Sequence, residues 1–296
     1  MLPPVAVGVD GSAESLAAAG WAAREAVRRG TRLRLVQVTD RTARGRRDES
    51  AGAAGRRVLR EAEAHVRAGC QDVRVEAEQA AGPVTGTLLE AAGQAGLLVL
   101  GSRGLSGFTG FRVGSVALGV VSRAVRPVVL VRAGETPEDE HLPAADGSGS
   151  VRTRHRDVVL ALDVGDPCDE VVDFAFETAR LRHARLRVVH AWRAPGPLGL
   201  GAGDIGLVDG PRQAGEWLGF LEAVLEVWRE KYPDVEVAPT VVADRPATAV
   251  ARAASGAGLL VVGRRRPEDP HSPRLGLVTH AAVRHADCPV AVVPHG

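Results

Sequence analysis

The sequence contains few lysines, aromatic residues and cysteines, and each shortage excludes or disfavours a class of function. Lys231 is the only lysine, so a phosphate-binding loop of the G-x-x-x-x-G-K-[ST] type is excluded, and with it the P-loop nucleotide hydrolases. Aromatic residues make up 3% of the chain, which disfavours nucleic-acid binding through base stacking. The three cysteines, Cys70, Cys168 and Cys288, lie far apart without C-x-x-C spacing and are expected to be free thiols in a reducing compartment.

Charge and hydropathy set further limits on partners and location. The 296 residues carry a net charge of +1 at pH 7, so overall charge attracts neither nucleic acid nor an anionic membrane. No apolar stretch reaches the roughly 18 residues that a membrane-spanning helix needs. The first residues lack the charged segment that begins a secretion signal. We therefore expect a cytoplasmic protein that binds neither membranes nor nucleic acid.

Short strands rich in Val and Leu alternate with helical stretches in the first half of the chain. Strands are predicted at 4–10, 32–38, 72–78, 96–101 and 126–131. Helices are predicted between them at 13–29, 50–68, 84–94 and 115–123. This alternation favours parallel strands joined by right-handed helical crossovers, with helices on both faces of the sheet.

A second copy of this pattern follows a break in the chain. The stretch 134–156 is rich in Pro, Gly, Ser and charge, and is predicted to be a linker between domains at 1–133 and 157–296. Adding 162 to the residue number aligns Gly96–Gly101 with Gly258–Gly263, and the alignment continues toward the last strand without a gap. A match of this length indicates an internal duplication.

The loop after the fourth predicted strand has features of an anion site. Its glycines, Gly101, Gly104 and Gly114, follow the spacing G-x2-G-x9-G, and Ser115 opens the next predicted helix. Glycine lets the backbone approach a phosphate closely and adopt positive φ, while a helix start offers free N–H groups. Ser115 would add a hydroxyl donor or cap the helix. Asp10 ends the first strand, and the first and fourth strands would flank the ligand crevice of a doubly wound sheet.

These features together resemble the universal stress protein family in its tandem two-domain form. The resemblance rests on the start VAVGVDGS, the glycine loop, the segment VALGVVSRAVRPVVLV after it, and the duplication. It implies an α/β fold of two tandem flavodoxin-like (adenine-nucleotide α-hydrolase-like) domains, each with a five-stranded parallel sheet of order 3-2-1-4-5. It also implies contact between the last strands, PVVLV at 127–131 and PVAVV at 289–293, either inside one chain as an internal dimer or in a homodimer.

Family members with an intact glycine loop resemble ATP binders. Since the loop is intact in the first half, the resemblance implies that this chain binds ATP in its N-terminal domain and acts as a stress-response regulator. Adenine and ribose would lie near the aspartate of the first strand and the phosphates on the glycine loop, accompanied by Mg²⁺ if it binds. No residue is assigned to catalysis or to a dedicated metal site, and the sequence does not identify a regulatory protein partner. The residues that the resemblance implies for ATP are Gly8, Val9, Asp10, Val38, Leu100, Gly101, Gly104, Gly114, Ser115 and Val116. Arg103 is added as a candidate contact to the phosphates because it lies within the glycine loop.

The C-terminal half keeps the apolar frame of the glycine loop but changes two of its positions. Arg266 stands in the place of Gly104 and Leu277 in the place of Ser115, which removes the close backbone approach and the hydroxyl. We expect this half to bind ATP weakly or not at all, and to serve packing or regulation. The basic run 264–266 is interpreted as a solvated loop rather than as a second anion site.

Three other interpretations stay open. In the first, the glycine loop is a solvent-exposed turn with a helix cap. In the second, the loop is vestigial and the chain is a nucleotide-independent dimerisation or scaffold protein. The third is a slow ATPase or an autophosphorylating protein with Ser115 or a neighbour as acceptor. The intact loop favours binding over a scaffold, and the missing lysine and general base weigh against efficient catalysis.

Overall fold

The structure is a computed structural model that describes residues 2–40, 49–102, 114–193, 210–266 and 275–296. Within these ranges ten strands and eight α-helices alternate along the chain. The first half contains β1 (Val5–Gly8), α1 (Ala13–Arg28), β2 (Leu33–Thr39), α2 (Glu49–Gly69), β3 (Val75–Ala81), α3 (Val84–Gly93), β4 (Leu97–Ser102), α4 (Ser115–Val121) and β5 (Val128–Arg132). The second half contains β6 (Val158–Ala161), α5 (Asp169–Arg182), β7 (Leu186–Trp192), α6 (Gly210–Lys231), β8 (Val237–Ala243), α7 (Pro246–Ala254), β9 (Leu259–Arg265), α8 (Leu277–His285) and β10 (Val290–His295).

All ten strands belong to one sheet, in the order β3-β2-β1-β4-β5-β10-β9-β6-β7-β8. Strands pair in parallel within each half, because each is joined to the next by a helical crossover. The predicted strand order 3-2-1-4-5 therefore occurs once in each half. The prediction of two tandem α/β domains is confirmed.

The two halves meet at an antiparallel pair of strands, β5 and β10. Val129 lies opposite Ala291 and Val128 opposite Val292, and all four residues are at most 1% exposed. A fifth strand alone would leave an edge of unpaired N–H and C=O groups, which this pairing covers. The contact expected between the last strands thus forms inside a single chain, and neither strand is free to pair with a second chain.

Two hydrophobic cores lie on opposite faces of the sheet. Helices α1, α2, α5 and α6 cover one face, and α3, α4, α7 and α8 cover the other. Side chains of β4 alternate between them: Val99 packs in the first core, and Leu98 and Leu100 pack in the second. Each core continues from the first half into the second because β5 and β10 join the two sets of strands.

The third strand begins three residues later than its sequence pattern predicts, since residues 72–78 are the expected strand and β3 spans Val75–Ala81. Val73 lies before the strand, and its side chain is 6% exposed because it packs in the core. Its apolar character therefore reflects burial and does not mark the start of the strand. The bounds of β3 follow instead from pairing with all seven residues of β2, which extends the strand to Ala81 although alanine favours strands weakly. The bounds of β8 follow in the same way from pairing with all seven residues of β7.

A buried carboxylate links the first half to the second. Glu25 on α1 is 1% exposed and accepts hydrogen bonds from Arg182 Nη2 on α5 and from Arg29 Nε, both at 2.6 Å. The guanidinium of Arg182 also lies 5.4 Å from the ring centroid of Trp21. Helices α1 and α5 are therefore joined by a charge pair that is shielded from water.

The predicted linker adds a second buried carboxylate to the same region. Glu140 ends a 3₁₀ turn at Pro137–Glu140, is 2% exposed, and accepts a hydrogen bond from Arg24 Nε at 2.8 Å and another from Arg28. This part of the linker is consequently packed against α1. We call the whole group the interdomain ion cluster: Glu25, Glu140, Arg24, Arg28, Arg29 and Arg182.

Ionisation of Glu25 is coupled to folding. Burial alone would raise the pKa of Glu25, but the guanidinium groups of Arg182, Arg29 and Arg28 lower it from 4.5 to about 2. A carboxyl whose pKa is depressed in the folded state stabilises that state above its unfolded pKa and loses this effect as the pH falls through the folded value. The contribution of Glu25 is therefore complete above pH 4.5 and disappears toward pH 2.

We expect Glu25→Gln to lower the free energy of unfolding by about 3 kcal/mol at pH 7, because Arg182 would stay buried without its counter-ion. As a control, Glu63→Gln removes an exposed i,i+4 pair with Arg67 and should cost less than about 1 kcal/mol. Urea unfolding measures both effects. The difference between wild type and Glu25→Gln should shrink below pH 4.5. A pH-independent difference, or equal losses from the two variants, would contradict this account.

Candidate functional site

The strand order reverses between β1 and β4, and a cavity of about 440 Å³ opens at the carboxyl ends of these strands. We call it the N-terminal cavity. Nine residues predicted for nucleotide binding line it: Gly8, Val9, Asp10, Val38, Leu100, Gly101, Gly114, Ser115 and Val116. The other two, Arg103 and Gly104, lie outside the described residues. The cavity thus brings together four separate segments of the sequence.

Several wall residues were not singled out by the sequence: Ser12, Glu14, Ser15, Val36, Val84, Leu88 and Ala117. Ser12 and Ser15 follow Asp10 closely in the chain, so their position beside the end of β1 was within reach of a sequence argument. Val84 and Leu88 come from α3, where a spacing of four residues places them on one helix face. Their apolar character does not distinguish a cavity wall from an ordinary core face.

The carboxylate of Asp10 is held in a fixed orientation at the end of β1. The backbone N–H of Ser12 donates to Asp10 Oδ1 at 2.9 Å, and the Ser12 hydroxyl donates to the same oxygen at 2.5 Å. Ser12 is also the N-cap of α1, where its hydroxyl oxygen accepts from the N–H of Ser15 at 3.2 Å. Partial burial raises the pKa of Asp10, but the hydrogen bonds from Ser12 outweigh it and leave the pKa below its ordinary value. Asp10 is therefore ionised at neutral pH and able to accept hydrogen bonds.

Close packing requires glycine at Gly101, whereas Gly8 is crowded only by a side chain. A Cβ added at Gly101 would lie 2.6 to 2.8 Å from backbone atoms of Glu14 and Ser15, so only glycine allows α1 to begin against the end of β4. A Cβ added at Gly8 would lie 2.7 Å from a methyl group of Leu100. Gly114 differs from both, because an added Cβ there would meet no atom of the described residues within 4 Å.

Two local predictions about the loop are wrong. Positive φ was expected for its glycines, but Gly114 has φ −59° and Gly101 is not among the described glycines with positive φ. The cap of α4 is Gly114, so Ser115 is the first helical residue and leaves its side chain exposed beside the cavity. Ser115 thus remains available as a hydroxyl donor, whereas its predicted alternative role as a helix cap does not occur.

The basic run 264–266 is also not the solvated loop that was expected. Arg264 is 4% exposed, and its guanidinium donates to the carbonyl oxygen of Ser122 at 3.3 Å and to that of Ala124. These carbonyls lie at the end of α4, where a helix lacks internal donors and favours positive charge. Arg265 pairs with Asp166. The second half therefore holds the end of the helix whose start lines the N-terminal cavity.

A second cavity, of about 540 Å³, occupies the equivalent place in the second half, at the carboxyl ends of β6 and β9. We call it the C-terminal cavity. Asp163 and Gly263, the counterparts of Asp10 and Gly101, both line it. Leu277 opens α8 and is 87% exposed, so the position equivalent to Ser115 carries an apolar side chain in solvent.

Fold and cavities together define a tandem α/β protein with a ligand-sized cavity at the switch point of each half. The sequence profile of the universal stress protein family matches residues 1–132 and 155–294. The curated universal stress protein Rv1996 of Mycobacterium tuberculosis is 30% identical over 314 aligned residues, which cover 97% of this chain and 94% of that protein. The chain belongs to the universal stress protein family.

One solved structure agrees with this fold along the chain, and a second matches a shorter part of it. A universal stress protein from Archaeoglobus fulgidus DSM 4304 matches 98% of this chain and 98% of its own, with a TM-score of 0.70 and 19% identity. A universal stress protein from Archaeoglobus fulgidus solved in complex with dAMP matches 44% of this chain and 97% of its own, with a TM-score of 0.36 and 24% identity. Within the described residues, every helix is too short or too polar to cross a bilayer.

Because Gly101 and Gly114 have different surroundings, an added methyl group is expected to lower the stability at Gly101 and to leave it nearly unchanged at Gly114. We expect Gly101→Ala to lower the free energy of unfolding by about 1–3 kcal/mol, because the start of α1 must move away from β4. Gly114→Ala should change it by less than about 0.5 kcal/mol, since its φ suits alanine and no atom of the described residues lies within 4 Å of the added methyl group. Urea unfolding compares the two variants. Equal losses would show that Gly101 is not packed as described.

Proposed function

We propose that this protein binds ATP in the N-terminal cavity and acts in the cytoplasm as a regulator of the response to stress. The proposal is carried by one observation, the convergence of Gly8–Asp10, Val38, Leu100–Gly101 and Gly114–Val116 on one cavity. Its volume of about 440 Å³ lies in the range of about 300–1,000 Å³ that small-molecule sites occupy.

The two sides of the cavity suit different parts of the nucleotide. Val38 and Leu88 provide apolar walls on the side of β2, where adenine would be shielded from water. The ionised carboxylate of Asp10 would accept hydrogen bonds from ribose hydroxyls. On the side of α4, the phosphates would lie beside Gly114, where the described residues leave space, and next to the exposed hydroxyl of Ser115, with Mg²⁺ as their counter-ion.

Binding without efficient hydrolysis is the proposed activity. Among the described wall residues, Asp10 and Glu14 are the carboxylates, and Asp10 is already engaged by Ser12 at the end of β1. A general base must lie within hydrogen-bond reach of the attacking water and hold a suitable pKa. The lowered pKa of Asp10 makes it a weak base, so it suits ligand binding better than proton transfer.

Replacing Ser115 by the residue of the second half tests the site. Ser115→Leu should preserve the fold, because Leu277 is tolerated at the same helix position with 87% of its surface exposed. It should weaken ATP binding about tenfold or more, through the lost hydroxyl and the added bulk. The matched control, Leu277→Ala, should leave binding unchanged. Calorimetric titration of the full chain with ATP and Mg²⁺ measures the affinities.

Three outcomes would overturn parts of this proposal. Absence of binding heat from the wild-type protein, at concentrations that detect micromolar affinity, would refute ATP binding. Equal weakening by Ser115→Leu and Leu277→Ala would refute the placement in the N-terminal cavity. Release of inorganic phosphate well above the rate without protein would identify the protein as an enzyme.

A further inference from the structure

The interdomain ion cluster contains more positive than negative charge. Its four arginines face the carboxylates of Glu25 and Glu140, which are at most 2% exposed. A third carboxylate, Glu177, lies at the margin with 40% of its side chain exposed, and accepts a hydrogen bond from Arg29 Nη1 at 2.9 Å. Three carboxylates thus face four guanidinium groups, which leaves one positive charge without a counter-ion.

The titratable groups beside the cluster do not balance this charge at pH 7. Burial and two neighbouring carboxylates raise the pKa of Glu135 to about 8, so its carboxyl is mostly protonated. Burial and the nearby charges of Arg28 and Arg182 lower the pKa of His155 to about 4, so its imidazole is neutral. The resistance of His155 to protonation is what an excess of positive charge in the cluster would produce.

Two arginines of the cluster keep a buried nitrogen that donates to none of the described residues, Arg182 Nη1 and Arg28 Nη1. The side chain of Arg182 is 3% exposed, and its Nη2 donates to Glu25 Oε2 at 2.6 Å. Arg28 Nη2 donates to Glu140. A guanidinium group has donors only, and a buried donor without an acceptor destabilises the fold. Both nitrogens therefore favour a further acceptor.

These two nitrogens belong to neighbouring guanidinium groups. Arg182 Nη2 lies 2.6 Å and Arg28 Nη1 lies 3.7 Å from the same oxygen, Glu25 Oε2. The guanidinium of Arg182 also lies over the ring of Trp21, whose Nε1 is buried and donates to none of the described residues. Three buried donors from α1 and α5 thus lie in one region, at the contact between the two halves.

Charge and burial together indicate which acceptor fits. A water molecule accepts hydrogen bonds but leaves the excess charge in place. A monovalent anion accepts them and also neutralises the charge, and its attraction to the guanidinium groups is stronger here than in water because the effective dielectric constant is lower. A single-atom anion needs the least space and no particular orientation of its donors. It therefore suits side chains that are already fixed by Glu25 and Glu140.

We propose that the interdomain ion cluster binds one chloride ion, held by Arg182 Nη1 and Arg28 Nη1 at the contact between α1 and α5. The ion completes the charge balance of the cluster and stabilises the attachment of the second half to the first. The stability of the folded chain consequently depends on the chloride concentration. The site lies outside both cavities, so this proposal is independent of the proposed ATP binding.

Urea unfolding of the full chain at pH 7 tests the site when chloride replaces gluconate at constant ionic strength. Gluconate carries the same charge but is too large for a buried contact. An anion that binds only the folded state lowers the unfolding equilibrium constant by a factor of one plus the ratio of its concentration to Kd. We expect a decrease of about fivefold or more at about 0.2 M chloride, which corresponds to a Kd of about 50 mM or lower.

A pair of Arg→Lys variants locates this effect. Arg182→Lys keeps a positive charge beside Glu25 but removes Nη1, and should reduce the effect of chloride to less than about twofold. The matched control, Arg67→Lys, changes an exposed pair with Glu63 and should keep the effect measured for the wild type.

A built-in anion provides a second test, which also decides the question if Arg182→Lys does not fold. His155 lies close enough to Arg28 and Arg182 for both charges to lower its pKa. His155→Glu would place a carboxylate beside these two arginines and supply the charge that the chloride ion provides. The unfolding constant of His155→Glu should therefore be lower than that of the wild type in gluconate, and independent of chloride.

Anomalous diffraction from crystals grown with sodium bromide gives the position of the ion directly. The expected result is a bromide peak in contact with the guanidinium groups of Arg182 and Arg28. A water molecule beside Arg182 Nη1, without an anomalous peak, overturns the proposal. Equal effects of chloride on the wild type, Arg182→Lys and His155→Glu also overturn it, because they assign the effect to the protein surface. A bromide peak in a protein whose stability does not respond to chloride identifies an adventitious ion only.

Discussion

The antiparallel pairing of β5 with β10 is the constraint from which the rest of the architecture follows. It removes the two edges that a pair of separate five-stranded sheets would expose and gives one sheet of ten strands. It also sets α1 beside α5, which is the reason that Glu25 and Arg182 meet 157 residues apart in sequence. Removing either charge leaves the other buried, so the cluster acts against separation of the halves.

The same pairing fixes how the two cavities relate to each other. Because β5 and β10 run in opposite directions, the strands of the first half have their carboxyl ends at one end of the sheet, along the strand direction, and the strands of the second half have theirs at the other. The end of β9 accordingly lies near the end of α4, where Arg264 binds the carbonyls of Ser122 and Ala124. Helix α4 therefore begins beside the N-terminal cavity, at Gly114. Its other end is bound by Arg264, and the residue before Arg264 in the sequence, Gly263, lines the C-terminal cavity.

The sequence predicted what depends on periodicity and repetition, and missed what depends on tertiary contacts. Alternating apolar segments and the duplication indicated parallel strands and two domains, but periodicity alone contains no strand order, which came from the family resemblance. Gly101 was singled out by its spacing for the wrong physical reason, since its neighbour is the backbone of α1 and not a turn with positive φ. The role of Arg264 could not be predicted, because its partners are 140 and 142 residues away and the run around it has the composition of a surface loop.

The comparison of the two halves separates residues that packing explains from residues that it does not. Gly263 is retained although Leu277 replaces the serine of the first half, and its packing against His295 and Val171 explains this without a ligand. A conserved glycine in the repeat is therefore weak support for phosphate binding. The exposed positions carry more information, because Ser115 and Leu277 occupy equivalent sites where neither side chain is needed for packing. A difference that packing does not require is therefore the better position at which to test the binding proposed for the N-terminal cavity.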